Sequence, residues 1–365
     1  MATLFTDPKI TIKDIANATG YSVTTVHRAI FNKDGVRPEV AAKIREQAKK
    51  MNYTSNAAAS ALKRKELNIA VVFPNPEVYG RCYFSYMLQG WKDCYQKEFQ
   101  GFNISVHEYL FDCSVEDDEK QQLAILAQIL KDWDGKLDGL LLTPLSDSAE
   151  LSMMVERFCL TGTAVVLADG DLPNSNRLAC VSLPGESIGR LAGELICHYV
   201  HAKSGTILTA AGNSNCLGHR NNMNGFEQYV TSHCPNLKIV WIPYNKDIPA
   251  FTRDFESHLR DCEDIVAAYS VRGQGSVPMC NAVIHTQKKQ DICIVASDLF
   301  PETARLMEAG NIDAIIYKKP YEQSYRAFDI LANYLIRNVT PSEDLEFIPI
   351  SLILHSNLQY YKAHI

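Results

Sequence analysis

The sequence predicts a two-lobed α/β body behind a small, all-α N-terminal domain of helix-turn-helix form. Three observations carry that expectation. From Leu67 onward, apolar runs alternate with helical stretches, the pattern of parallel sheets covered on both faces. Before that, three short amphipathic helices fit within residues 11–51. Charge is also split along the chain: residues 1–65 hold 12 Lys and Arg against 5 Asp and Glu, leaving 24 against 37 for the rest, although the whole carries −6. A basic head on an acidic body is the asymmetry expected when only the head meets a polyanion.

The head reads element by element. Thr11 caps the first helix with Asp14 three residues on, a capping box, and Ile12, Ile15 and Ala16 form its apolar face. Gly20 ends that helix, because glycine tolerates left-handed backbone. Ser22 caps the second helix, with Val23, Val26 and Ile30 at helical spacing. Pro38 opens the third at its first position, with Val40, Ala41, Ile44 and Ala48 inward. Three helices so spaced match the geometry in which the second lies in the major groove. The stretch NAAASALKRK, 56–65, is too short to hold a helix alone, and is expected to become helical only with a partner present. Boundaries follow: a head over 1–54, a hinge over 55–66, and a body over 67–365.

In the body, strands are expected at 68–73, 104–111, 137–143, 164–169, 205–212, 239–244, 264–270, 292–298 and 312–318, with helices among them at 116–131, 186–201 and 321–337. So much α/β chain exceeds one sheet, hence two lobes. Ligands in such sheets bind beyond the strand carboxyl ends, where TPLSD, ADGD, ASDLF and YKKPY fall.

Several function classes find no support. The 11 cysteines include no C-x-x-C pair and no zinc spacing with histidine, so free thiols in a reducing compartment are expected, with neither metal nor cofactor. No run approaches a membrane span, and the first residues lack the apolar core of a secretion signal. Neither a Walker A loop, G-x-S-x-G, G-x-G-x-x-G after a strand nor H-E-x-x-H occurs, so no catalytic group is expected.

The segment 10–62 resembles the DNA-binding head and hinge of LacI-type bacterial transcriptional regulators, on TIKDIANATGYSVTTVHRA, KDGVRPEVAAKI and MNYTSNAAASAL. Residues 67–357 resemble the periplasmic-binding-protein-like (type I) sensor of the same family, closest to the ribose type, on LDGLLLTP, VVLAD, NGF, VASD and IDAIIYKKPYEQSY. The resemblance implies a cytoplasmic repressor of carbohydrate-utilisation genes. It would act as a homodimer on a palindromic operator, under allosteric control by a sugar or sugar acid, with no membrane partner. A solute-binding protein sharing the sensor fold is the alternative.

On the recognition helix, the resemblance implies that Val23 and Thr24 face base edges while Ser22 and Thr25 meet phosphate or anchor the helix. Arg28 can grip guanine through two donors or contact phosphate. His27 stands where serine is usual, Phe31 where asparagine is, and Arg37 in place of a serine cap. Thr11 completes the head's candidates. In the hinge, Asn56 is a cap, Ala59 shares its short helix, and Leu62 matches the leucine that wedges open a base step from the minor groove.

For the effector, Tyr83 and Phe84 match an aromatic pair, and Asp169 and Asp298 the acidic residues ending two strands. Asn222 replaces an arginine, with Arg220 nearby. Thr143 and Ser270 replace asparagines, Gly170 an arginine and Lys318 a glutamine, which argues against ribose itself. Lys318, with Arg272, suits an acidic ligand or else pairs with Asp169 or Asp298. The resemblance places hinge crossovers near 169, 298 and 318, whose closing would move Leu67–Val72 and so the spacing of two hinge segments.

Overall fold

The computed structural model describes residues 10–30, 35–51, 65–78, 80–113, 118–200, 204–243, 245–362 and 365. The chain divides chiefly at Lys65/Glu66 into a small and a large unit.

The small unit is built from α1 (Ile12–Thr19), α2 (Val23–Ile30) and α3 (Pro38–Lys50). The capping box is present: Thr11 Oγ1 accepts from the Asp14 amide at 3.3 Å, and Asp14 accepts from the Thr11 amide at 2.7 Å. Gly20 takes φ 72° and closes α1. Ser22 Oγ accepts from the Thr25 amide at 3.1 Å, which anchors the start of α2. Helices this short are not stable alone, so their order comes from a shared core. Ile15, Val26 and Ile44 are fully buried at its centre, and Ala16, Ala29, Ala41 and Ala48 let the axes approach. Arg45 adds a tie from α3, its Nε donating to the Ala29 carbonyl at 2.9 Å. Val23, although at helical spacing with Val26, faces outward and is 46% exposed.

The large unit contains two sheets. The first holds β1 (Leu67–Pro74), β2 (Ile104–Phe111), β3 (Gly139–Leu142), β4 (Ala164–Asp169) and β5 (Ala179–Ser182); the second holds β6 (Gly205–Ala210), β7 (Leu237–Ile242), β8 (Ile265–Ser270), β9 (Cys293–Ser297) and β10 (Ala314–Tyr317). Both run parallel and share one order, β2-β1-β3-β4-β5 and β7-β6-β8-β9-β10. Two short strands complete the edges: β11 (Leu345–Phe347) lies parallel to β5, and β12 (Ser351–Ile353) antiparallel to β10. All nine strands expected from sequence form. The unexpected ones, β5, β11 and β12, are only three or four residues long and leave no readable alternation.

Among the described residues, nine helices clothe the sheets: α4 (Arg81–Cys94), α5 (Asp118–Trp133), α6 (Ala149–Leu160), α7 (Gly185–Tyr199), α8 (Leu217–His233), α9 (Ile248–Asp261), α10 (Gly273–His285), α11 (Pro301–Glu308) and α12 (Pro320–Arg337). In lobe one, Ala70, Val72, Leu140 and Leu167 pack on Leu126 and Ile129 of α5 and on Val155 and Phe158 of α6. α4 and α12 pack together through Trp91 and Phe328, ring centres 5.9 Å apart. In lobe two, Phe255 of α9 and Met279 of α10 share one core with Ala268 of β8 and Ile294 of β9. Ile188 and Ala192 of α7 and Phe226 of α8 share another with Ile207 and Tyr269. Glycines bring α7 and α8 together; a Cβ on Gly189 would lie 1.9 Å from the Asn222 carbonyl oxygen.

Two expectations are corrected here. The chain passes between lobes at 183–184, 318–319 and 348–350, so the crossover near Lys318 stands but those near Asp169 and Asp298 do not. Asp169 and Asp298 instead take left-handed backbone, φ 71° and 66°, at strand ends from which the chain returns to its own sheet. The close α7–α8 packing also brings Cys197 and Cys234 together, with Cα atoms 6.3 Å apart.

Candidate functional site

On the head, the outward side of α2 carries Val23, Thr24 and Arg28, all exposed, with Thr25 half-buried. The Ser22 and Thr25 hydroxyls bond each other at 2.8 Å, so this pair anchors the helix end. Thr11 serves α1 through its capping box. Arg37 precedes α3 without a side-chain cap and is exposed, leaving its guanidinium at the surface. Gly35 leaves room beside Arg28: a Cβ there would sit 3.0 Å from the guanidinium. The His27 side chain, Phe31, and hinge residues Asn56, Ala59 and Leu62 lie outside the described residues.

In the large unit, strand order reverses between β1 and β3 and again between β6 and β8. Sheets of this kind bind ligands at such switch points, beyond the strand carboxyl ends. The loops leaving those four strands meet around a cavity of about 140 Å³, lined by both lobes. An engineered cavity of roughly 150 Å³ takes a benzene ring, so this one suits a molecule of single-ring size.

Lobe one supplies Tyr83, Phe84, Thr143 and Asp169. Tyr83 donates its phenol proton to Asp169 Oδ1 at 2.7 Å and accepts from Gln323 Nε2 at 2.9 Å. Phe84 meets Tyr83 edge to face at 5.6 Å. Loss of water raises the Asp169 carboxyl to about 6, against the Tyr83 bond and Lys318, which lower it. Lobe two supplies Asn222, Asp298 and Lys318. Burial also raises the Asp298 carboxyl, although Lys318 Nζ stands 3.5 Å from its Oδ2. Lys318 donates further to the Val271 carbonyl at 2.8 Å. Asp298 Oδ1 and Thr143 Oγ1 are buried and have no hydrogen-bond partner among the described residues.

Two expected members lie elsewhere. Ser270 is buried beneath the wall, its hydroxyl donating to the Arg272 carbonyl at 2.7 Å. Arg220 sits outside the cavity, bound to Asp147 of lobe one at 2.9 Å and to the Ser214 carbonyl at 2.7 Å. Lys246 and Asp118 form a second ion pair between lobes at 2.8 Å. Sequence reading missed Asn213, Cys216, His219 and Gln274, and named Arg272 only as a companion of Lys318. They lie in the loops leaving β6 and β8 and in the first turns of the helices that follow, α8 and α10, a placement that strand order alone would have flagged.

Comparison with known proteins agrees with both halves. Residues 69–338 match the family described as "Periplasmic binding protein domain", and residues 11–56 that described as "Bacterial regulatory proteins, lacI family". The chain belongs to the periplasmic binding protein domain family through its body, and carries a lacI-family regulatory domain at its head. Among curated lacI-type relatives, the HTH-type transcriptional regulator MalR of Streptococcus pneumoniae is 29% identical over 135 residues, 36% of this chain and 38% of that protein. Catabolite control protein A of Streptococcus mutans is 31% identical over 131 residues, 36% of each chain. The sucrose operon repressor of Lactococcus lactis is 39% identical over 66 residues, 18% of this chain and 21% of that one. The aligned segments thus span well under half of these relatives.

Solved structures share the fold of the periplasmic binding protein domain. GanP, a glucose-galactose binding protein from Geobacillus stearothermophilus, superposes with a TM-score of 0.68 at 21% identity, over 81% of this chain and 99% of that one. A solute binding protein from Burkholderia graminis in complex with D-arabinose gives 0.71 at 16% identity, over 81% and 98%. No helix among the described residues is long and apolar enough to cross a membrane.

Proposed function

We propose that this chain is a transcriptional repressor of carbohydrate-utilisation genes, which binds a palindromic operator as a homodimer and answers to a small sugar held between its lobes. The observation that carries this reading is the joining, in one chain, of an exposed Val23–Thr24–Arg28 face and a single-ring-sized cavity lined by aromatic, amide and carboxylate side chains of both lobes. Val23 suits a thymine methyl, Thr24 several bases, and Arg28 guanine O6 and N7. One small head makes too few phosphate contacts for tight binding at physiological salt, so two heads acting together are required. Leu62, Ala59 and Asn56 serve the hinge, and His27, Thr11 and Arg37 the surrounding backbone.

The cavity favours an uncharged ligand. Lys318, the main anchor for an acidic one, already serves Val271 and Asp298. The relatives whose names mention sugars or catabolite control support a role in carbohydrate use. Closure of the lobes changes the position of the strand that follows the hinge, so effector and operator alter each other's affinity by one factor, typically 1–3 kcal/mol.

Selection of random duplex oligonucleotides with the purified chain tests the reading. An enriched inverted repeat is expected, with its affinity altered by D-glucose, D-galactose, D-arabinose or D-allose. Enrichment of no inverted repeat overturns the repressor reading.

A further inference from the structure

The lobe-two wall of the cavity shows a regularity in how its amides and imidazole are oriented. Asn222 Oδ1 accepts from the Tyr269 hydroxyl at 2.8 Å. Gln274 Oε1 accepts from Arg272 Nη1 at 3.0 Å. Asn213 Oδ1 accepts from the Asn215 amide at 3.0 Å. His219 Nδ1 accepts from the Asn213 amide at 3.1 Å. In each case the acceptor atom is taken by the protein itself, and the group that remains is an N–H. All four residues line the cavity.

His219 is the fixed member of the set. An amide can rotate and exchange its ends, whereas a neutral imidazole whose Nδ1 accepts must carry its proton on Nε2. Burial, then Lys318 and Arg272, push the His219 pKa down to about 3, so the ring stays neutral at physiological pH. The backbone is shaped for it: a Cβ on Gly212 would lie 2.6 Å from the His219 Cβ. Across the cavity lobe one contributes Asp169 and Thr143, and on the lobe-two side the Asp298 carboxylate stands beside Gly273.

We infer that His219 is a specificity-determining residue: it presents a fixed N–H donor beside the amide N–H groups of Asn213, Asn222 and Gln274, and the effector must set an acceptor oxygen against it while turning hydroxyl protons toward the carboxylates of Asp169 and Asp298. This role rests on the carbohydrate reading above and deepens it. A ring oxygen or a hydroxyl oxygen meets the requirement; a group that can only donate does not.

Calorimetric titration of the full chain with D-glucose, D-galactose, D-arabinose and D-allose tests it, alongside His219→Phe, which keeps a ring without a donor, and His219→Gln, which restores a donor. The tightest binder among the four should lose about three- to tenfold in affinity with His219→Phe, the range for one neutral hydrogen bond, and regain part of it with His219→Gln. Nitrogen-edited NMR of the unmutated protein supplies a second readout that does not depend on the variant folding. The His219 proton should sit on Nε2, and its signal should move on saturation with that sugar. A proton on Nδ1, or an unmoved signal, overturns the inference. A sugar that binds the unmutated protein and His219→Phe alike overturns it too, while leaving the effector reading intact. Binding of none of the four overturns both.

Discussion

Asp169 and His219 face the same cavity and are held away from their ordinary protonation in opposite senses. Asp169, ordinarily 3.8, stands near 6; His219, ordinarily 6.5, stands near 3. For Asp169 the folded protein holds the proton more tightly than the unfolded chain, so stability falls as pH rises through about 4 to 6, by on the order of 3 kcal/mol. For His219 the folded protein holds it less tightly, so stability is full above 6.5 and is lost as pH falls toward 3. Between about pH 4 and 6 the two slopes oppose each other. Asp169→Asn, which keeps an acceptor for Tyr83, should unmask the histidine: its urea midpoint should drop from about pH 6 to about pH 4.5 more steeply than that of the unmutated protein. Equal slopes in the two proteins would refute the pairing. Asp169 and Asp298 were legible because they end recognisable strand motifs, and Tyr83 and Phe84 because they match the family's aromatic pair. His219 and Gln274 were not, because each sits in the first turn of a helix and is aimed by one hydrogen bond, which leaves no periodic trace.

Secondary elements were most legible where one residue does a single local job. Thr11, Gly20, Ser22 and Pro38 mark the head's helix ends, and each is found in that role or position. Ser22→Ala should therefore cost about 1 kcal/mol in the head, the usual value of a lost cap. Amide exchange in α2 should quicken about fivefold, with body amides unchanged. Exchange rates unaltered in α2 would remove the capping role. Strands of four to eight residues were readable where alternation or a continuous apolar run marks them. β5, β11 and β12 were not, since their pairing is dictated by a neighbouring strand more than by their own composition. The crossover misplaced at Asp169 follows from that: without β5 in view, the end of β4 looks like the last strand before the next lobe.

At the scale of the whole molecule, the lobes repeat one strand order and meet across a cleft with an ion pair at each of two places, Arg220–Asp147 and Lys246–Asp118. These are partly shielded charges, and each pair holds groups from separate lobes. Replacing both cations, Arg220→Gln with Lys246→Gln, should loosen closure: the radius of gyration measured by small-angle scattering should increase, and raised salt should no longer change it. A variant with the unmutated radius at every salt concentration would show that the pairs do not hold the cleft. The two-lobed plan itself was legible, because alternating elements over so long a stretch demand more than one sheet. The braid between lobes was not. Because β11 edges the first sheet and β12 the second, a single passage of chain, 345–353, borders both. During synthesis, then, neither half can acquire its full complement of strands until that passage has emerged from the ribosome. A nascent chain stalled at Asn338 would expose the open flank of β5 and of β10 together, and a chaperone would find both unfinished halves at the same moment.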